Sequence, residues 1–287
     1  MGGKTHILTY QRNSIVLDKC NKALWAELGC WENFKFSIFN FQFSIHLKHA
    51  MASNLEHSKK SGTLYLVSTP IGNLEDITLR ALRVLKEADL IAAEDTRRTR
   101  LLLQRYQISR PMTSYHDHNK EARSPFLLDK LLQGKSVALA SDAGTPGISD
   151  PAFYLVRLAI EHGVPVVPVP GPSALVSALI VSGLPPDRFA FEGFLPSKSG
   201  RRQSRLKALA REERTLLFFE SPHRLKRTLE DILEVLGDRR AAVARELTKK
   251  FEEIARGSVS QLLDHYGEKK PRGEVVIVLA GCLLQKS

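Results

Sequence analysis

The sequence predicts an α/β protein made of two α/β domains, the first built on a parallel sheet. Three observations carry that expectation. From Gly62 onward, short runs of aliphatic and β-branched residues alternate with segments whose apolar residues recur at three- and four-residue spacing. Turns rich in glycine and proline stand where the early strands end. A proline-bearing linker, LPPDRF, then separates this regular part from one of different character. The expected domains span 62–184 and 187–281, after an N-terminal extension over 1–61.

The elements follow in order. TLYLVST is a strand and DITLRALRVLKEA a helix with apolar residues on one face. LIAAE and TRRTRLLLQRY repeat that pair, and SPFLLDKLLQG is a third helix closed by Gly134. KSVALAS is a strand and DPAFYLVRLAIEHG a helix stopped by a glycine. VPVVPVPG leads into PSALVSALIVSG, with Pro172 near its first turn. Strands alternating with helices argue for a parallel sheet covered on both faces. Beyond the linker, FAFEGFL, TLLFFES, AAVARELT and GEVVIVLAG read as strands, and HRLKRTLEDILEVLG as a helix. FEEIARGSVSQLLDHYG runs from a strand into a helix. In ESPHRL, the reading puts Ser221 at a helix N-cap with Pro222 as the first helical residue.

The first sixty residues look foreign to this grammar. They hold both tryptophans, two of the three cysteines, and five of the thirteen phenylalanines in FKFSIFNFQF. No cleavable signal pattern precedes them. Met51 opens MASNLEHSKKSG, so the expectation is a start placed too far upstream or a disordered extension. The 287-residue chain is 43% hydrophobic and 25% charged, the composition of a soluble globular protein. No apolar run reaches membrane-span length. Cys20, Cys30 and Cys282 show neither metal spacing nor a disulfide framework, which fits a reducing cytoplasm. A net charge of +11 favours a polyanionic partner such as nucleic acid.

Four turns follow strands in the first domain: STPIGNLEDIT, AEDTRRTR, SDAGTPGISDP and VPGPSAL. At the carboxyl ends of parallel strands such turns converge on one edge and line a ligand crevice. They are poor in side chains, so the site is one that backbone groups build. Gly72 stands alone where a dinucleotide fingerprint would need GxGxxG, and GxxxxGK[ST], HExxH and GxSxG are all missing. His116, Asp117 and His118 in SYHDHN suit a polar loop before a helix, and no metal is expected.

LYLVSTPIGNLEDITLRAL, AEDTRRTRLLL, SDAGTPGISDPAFYLV, VPGPSALVSAL, FEGFLP, FFESPHRL, ARELTKKFEE and GEVVIVLAG occur in one order over 62–281. Together they resemble the ribosomal RNA small-subunit ribose methyltransferases of the tetrapyrrole methylase superfamily. The resemblance implies two α/β domains of the tetrapyrrole methylase type with the cofactor cleft between them, S-adenosylmethionine as cofactor, and a homodimer. It implies a cytoplasmic enzyme that 2′-O-methylates a cytidine in the decoding region of small-subunit (16S) ribosomal RNA, with the assembled subunit as partner and no membrane or metal. Carried onto this sequence, its cofactor positions are Pro70, Asp142, Ala143, Gly144, Thr145, Ile148, Ser173, Ala174 and Leu247.

The donor methyl group is already activated, so placement matters more than strong acid/base chemistry. Asp142 either binds the cofactor's cationic or polar groups or satisfies turn amides. A ribose hydroxyl is poorly acidic, and a carboxylate can take its proton. Asp95 and Glu94 are the candidates, with an ion pair to Arg97 or Arg98 as the alternative. Lys249 is a further catalytic candidate, and it and Glu246 either contact substrate or close the domain interface. Arg97 and Arg98 are RNA candidates, as is the basic segment holding Lys198, Arg201, Arg202 and Arg205. Arg201 and Arg202 are expected in a loop; a solvated charged face is the other reading of this segment. His223 and Arg224 are placed near the cleft.

Overall fold

Aliphatic runs assemble the first sheet. β1 (Leu64–Val67), β2 (Leu90–Ala93), β3 (Met112–Ser114), β4 (Val137–Ala140) and β5 (Val166–Val169) lie parallel in the order β3-β2-β4-β1-β5. The computed structural model describes residues 61–267 and 271–283. The expectations for the N-terminal extension and its start at Met51 lie outside the described residues. β4 is central and buried along its whole length, which is why VALA shows no polar alternation. Alternation sends Val137 and Leu139 to one face and Ala138 to the other. The first face packs on α3 (Lys120–Leu132) and α4 (Ala152–Glu161) through Leu127, Leu131, Leu155 and Ala159. The second packs on α1 (Leu79–Glu87) and α2 (Thr96–Arg105) through Val84, Leu85, Leu102 and Leu103. Thr78 Oγ1 accepts the Ala81 amide at 3.1 Å and Asp95 Oδ1 the Arg97 amide at 2.8 Å, so α1 and α2 each begin on a side-chain cap.

The second sheet orders β6 (Phe189–Phe194), β7 (Thr215–Glu220), β8 (Arg240–Arg245), β9 (Glu253–Ser258) and β10 (Val275–Leu279) as β6-β7-β10-β8-β9. β6 and β7 are parallel; the other neighbours are antiparallel. Leu216, Phe218 and Ile277 point to the face covered by α6 (Ser199–Ala208), α7 (Leu225–Leu236) and α8 (Val259–Gly267). Leu217, Val276 and Val278 point the other way, onto α5 (Ala174–Val181), which follows β5 of the first sheet. Leu175, Ala178 and Leu179 of α5 fill that joint, together with Ile71 and Leu247. Both sheets fall within one compact unit. No helix among the described residues is long and apolar enough to cross a membrane.

Four local expectations change. β3 has no aliphatic run to announce it; pairing of Met112 with Ile91 makes MTS an edge strand. α3 starts at Lys120, a turn before Ser124, because Ser124 Oγ donates back to the Lys120 carbonyl at 2.6 Å and Pro125 removes only one backbone donor. Ser221 is not the cap of α7. The helix begins at Leu225, and buried Glu220 holds the preceding turn by accepting the Ser221 amide at 2.6 Å.

Arg201 and Arg202 sit in α6, not in a loop. Arg202, Leu206 and Leu209 share one stripe of that segment, and all three are buried. Arg202 is 3% exposed and donates through Nε to Asp231, which also accepts from Ser199 and Gln203. This burial withdraws Arg202 from the surface where an RNA contact was expected. Breaking the pair from one side strands a buried cation. Asp231→Ala is expected to lower stability by about 3–5 kcal/mol, measured as a fall in the denaturant midpoint. Joint replacement of Arg202 by Met and Asp231 by Leu should recover most of that loss. An unchanged midpoint in Asp231→Ala would show that the pair contributes no stability.

Candidate active-site cleft

Loops at the carboxyl ends of the first sheet are tied together by their backbones. Thr69 and Gly144 exchange two hydrogen bonds, each 2.9 Å, in an isolated bridge. Thr69 Oγ1 donates to the Ser141 carbonyl and Ser141 Oγ to that of Gly144, both at 3.0 Å. Thr145 Oγ1 donates to the Pro172 carbonyl at 3.2 Å, so the loops after β1, β4 and β5 form one surface. Gly144 has φ +80° there, a left-handed conformation that favours glycine.

The loops after β2 and β4 clasp each other. Asp142 Oδ1 accepts the Asp95 amide at 2.7 Å, and the Asp142 amide donates to Glu94 Oε2 at 3.2 Å. Arg98 lies 3.5 Å from Asp142 Oδ2. Asp95 itself is turned away into the N-cap of α2, where Arg97 pairs with it at 2.9 Å.

The opposite wall comes from the second sheet. Glu220 is buried and accepts from Arg224 Nε at 2.8 Å and Thr228 Oγ1 at 2.6 Å. Val275 of antiparallel β10 is opposite Glu220, so Glu274 emerges at the same end. The ELTKK turn lies behind this side and, among the residues lining the cleft, contacts Glu274. Glu246 and Thr248 are non-glycine residues with φ 50° and 67°. Thr248 Oγ1 accepts the Asn73 amide at 3.0 Å, which docks the turn on the loop after β1. A Cβ on Gly72 would clash with Lys249 Cγ, so the lysine stem packs where a larger residue would not fit. Lys249 Nζ reaches Glu246 at 2.8 Å and Glu274 at 3.2 Å. Burial pulls its pKa down, but the two carboxylates outweigh this and the net shift is upward.

A cleft of about 420 Å³ opens between these walls. Glu94, Asp142, Asp150, Glu220 and Glu274 line it, with Arg98 as the cation on its rim. Burial raises the Glu94 pKa, and the nearby charges of Asp142, Asp150 and Asp117 add to the rise against the bond from the Asp142 amide. Burial also raises Asp150, whose carboxylate accepts from Gly147 and Ala152 amides. Asp95 moves the other way, to about 2, through hydrogen bonds from the Arg97 guanidinium and amide. Adjacent carboxylates thus have opposite shifts, a pattern that separates acid/base candidates.

Of the expected cofactor residues, Asp142, Ala143, Ile148 and Ala174 line the cleft. Gly144 and Thr145 hold the tied loops, with Pro70 and Ser173 in the same segments. Leu247 is buried in the apolar joint. Arg97, Lys198 and Arg201 are exposed, and Arg205 is bound to Glu192 at 2.9 Å. His223 is exposed, while Arg224 is committed to Glu220. The His116 and His118 rings lie 6.0 Å apart, and no metal-binding group exists among the described residues. Sequence reasoning missed Asp150, Phe194, Phe219, Glu220 and Glu274 as cleft residues. Asp150 was signalled by its place before a proline-led helix. Glu274 was not, because an antiparallel β10 is needed to bring its start to this edge.

The profile of the family described as Tetrapyrrole (Corrin/Porphyrin) Methylases matches residues 63–263. "Ribosomal RNA small subunit methyltransferase I" of Thermotoga maritima is 53% identical over 77% of this chain and 99% of its own. The protein of that name from Escherichia coli O157:H7 is 52% identical, covering 82% of this chain and 81% of its own. Among solved structures, the uroporphyrin-III C-methyl transferase of Thermus thermophilus, complexed with S-adenyl homocysteine, superposes with TM-score 0.55. It is 23% identical, covering 77% of this chain and 99% of its own, a likeness of fold.

The lowered pKa of Asp95 has a consequence for stability. Its cap contributes fully above the ordinary value of 3.8 and is lost as pH falls toward about 2. Asp95→Ala should therefore melt below the wild type at neutral pH, with the two melting temperatures converging between pH 4 and 2. A gap that stays constant across that window would show that the charge of Asp95 does not act in the cap.

Proposed function

The chain belongs to the tetrapyrrole methylase family, and from that premise we propose that it transfers a methyl group from S-adenosylmethionine to a cytidine 2′-oxygen in the decoding region of small-subunit ribosomal RNA. The observation that carries this reading is an acidic cleft in a basic protein. Five carboxylates and one arginine line the cleft, whereas the whole chain has net charge +11. S-adenosylmethionine carries sulfonium and ammonium cations, so this donor set fits it, and 420 Å³ suits a small ligand. An acidic macrocycle would meet repulsion in the same place. The relatives that are about half identical bear the ribosomal RNA name.

The bound cofactor supplies a methyl group on sulfur that needs no further activation. The chain's part is to hold and align. Asp142, Ala143, Ile148 and Ala174 form the cofactor wall, while Pro70, Gly144, Thr145 and Ser173 fix its loops. Leu247 sets the joint behind them. Glu94 faces the cleft with a raised pKa and takes the ribose proton. Asp95, paired with Arg97, positions α2 instead of accepting that proton. Charged Lys249 steadies Glu274 on the far wall and contacts the incoming nucleotide. Arg97, Arg98, Lys198, Arg201 and Arg205 meet RNA phosphates of the assembled subunit. Exposed Phe153 and Ile160 on α4, with Val176 and Ile180 on α5, supply the surface for a homodimer. Such a reaction belongs in the cytoplasm.

Transfer of labelled methyl to small ribosomal subunits lacking ribose methylation, beside a tetrapyrrole precursor, tests the reading. Label at a cytidine 2′-oxygen is expected; label in the macrocycle overturns it. Glu94→Gln should lower kcat by about 10²–10⁴-fold, an effect larger than its effect on cofactor affinity. In the wild type, the rate should rise with pH through a limb lying above the ordinary carboxylate value of 4.5. Loss of that limb in Glu94→Gln assigns it, and a full rate in the variant removes Glu94 from the chemistry.

A further inference from the structure

The exposed face of α2 carries charge that the cleft chemistry does not use. Residues 96–111 contain five arginines and no acidic residue. Thr99, Leu102 and Leu103 form the buried stripe, so Arg97, Arg98, Arg100, Leu101 and Arg105 fall on the outer side. Arg97 meets Asp95, and Arg98 meets Asp142 at the cleft rim. Arg100, Arg105 and Arg110 have no ion pair or hydrogen-bond partner among the described residues. In the basic segment around α6, Arg202, Arg205 and Arg214 are held by Asp231, Glu192 and Glu212, while Lys198 and Arg201 stay exposed without an ion pair among the described residues.

A groove of about 610 Å³ lies where α2 ends, against the edge strand β3. Arg100 and Arg110 line it, and Gln104, Gln107 and Ser109 contribute amide and hydroxyl groups. Arg98 and Arg105 are seven residues apart, about 10 Å along the helix axis. A cation row of this length, ending in a polar groove, suits a flexible polyanion with one base turned out. Leu101, 66% exposed between the arginines, offers an apolar contact to a ribose or base. The acidic cleft repels phosphate, so a chain whose nucleoside enters it must leave along a basic surface. α2 begins at that rim and is unneutralised beyond it.

We propose that the outer face of α2 and the groove beyond it are the track for the single-stranded RNA flanking the target nucleotide. Arg100, Arg105 and Arg110 hold phosphates, and the groove takes one unstacked nucleoside. This rests on the reading of RNA as methyl acceptor. The test compares the full chain with the triple variant Arg100→Gln, Arg105→Gln, Arg110→Gln, and with Lys198→Gln, Arg201→Gln. Binding to a single-stranded RNA oligonucleotide and to a duplex of the same length is measured against salt, beside methyl transfer to small subunits.

Removing one arginine from its phosphate lowers the single-strand salt slope by about 0.7. The triple variant should therefore show a slope smaller by about 2 and a raised KM for the subunit, with cofactor affinity and melting temperature retained. If the triple variant fails to fold, each single substitution should still remove about 0.7. A wild-type slope in the triple variant overturns the track, as does a loss confined to the duplex, or a wild type that binds neither RNA. Wild-type transfer of methyl to RNA with an unchanged variant slope refutes the track alone. Absent transfer with a variant-dependent slope refutes the methylation reading and leaves the track standing.

Discussion

Burial of α5 on the second sheet is the constraint on which the cleft depends. The helix follows β5 of the first sheet, yet Leu175, Ala178 and Leu179 pack against Leu217, Val276 and Val278. Each fully buried leucine contributes about 1.5–3 kcal/mol, so the joint is a substantial share of the folding energy of a domain this size. Its placement fixes the rest. The segment before α5 includes Pro172, whose carbonyl accepts from Thr145, and the Thr69–Gly144 bridge extends that hold to the loop after β1. Ile71, from the loop after β1, and Leu247, from the turn after β8, enter the same apolar cluster. The two walls are therefore set by one hydrophobic contact, and the polar bonds between loops refine a spacing already imposed.

Within that frame, charge is sorted by small differences of position. Glu94 and Asp95 are neighbours in sequence at the end of β2. Glu94 points into a partly desolvated space beside Asp142 and Asp150, and its pKa rises. Asp95 turns outward to the first amides of α2 and to Arg97, and its pKa falls to about 2. One step along the chain separates a carboxylate with a raised pKa, facing the cleft, from one with a lowered pKa that holds a helix. The same sorting works on the larger scale. Carboxylates face the cleft, while arginines of α2 start at its rim and face out. A cationic cofactor and an anionic polymer can then approach one site without competing for the same field.

Much of this was legible in the sequence, because a parallel sheet covered on both faces writes itself as alternating apolar runs and periodic helices. The VALA run of β4, the SDAGTPGISDP turn and the loops that meet it read directly. Three of the failures share a cause, a partner distant in the chain. Arg202 looks like any surface arginine until Asp231 of α7, twenty-nine residues on, is brought against it. MTS is a strand only because Ile91 pairs with Met112. Glu274 lies at the cleft because β10 runs antiparallel to β7, and nothing in GEVVIVLAG states its direction. The second sheet hides its geometry because mixed strand directions leave no trace in hydrophobic periodicity.

The ELTKK turn shows what the cleft demands of its less regular wall. Glu246 and Thr248 both hold left-handed backbone conformations, each costing about 1–3 kcal/mol for a non-glycine residue. Such a turn persists only where its surroundings over-determine it. Glu246 accepts the Glu274 amide at 3.1 Å, Glu252 accepts that of Thr248 at 2.6 Å, and Thr248 Oγ1 accepts that of Asn73. Leu247 between them is buried in the joint under α5. Two strained residues thus flank one apolar anchor, and the geometry that remains aims Lys249 at Glu246 and Glu274. A relaxed turn would free the lysine to reach solvent, where its stem would lose the packing on Gly72. The strain is the local counterpart of the joint: apolar burial holds the walls together, and the turn converts that hold into a fixed position for Lys249 against Glu274, which lines the cleft.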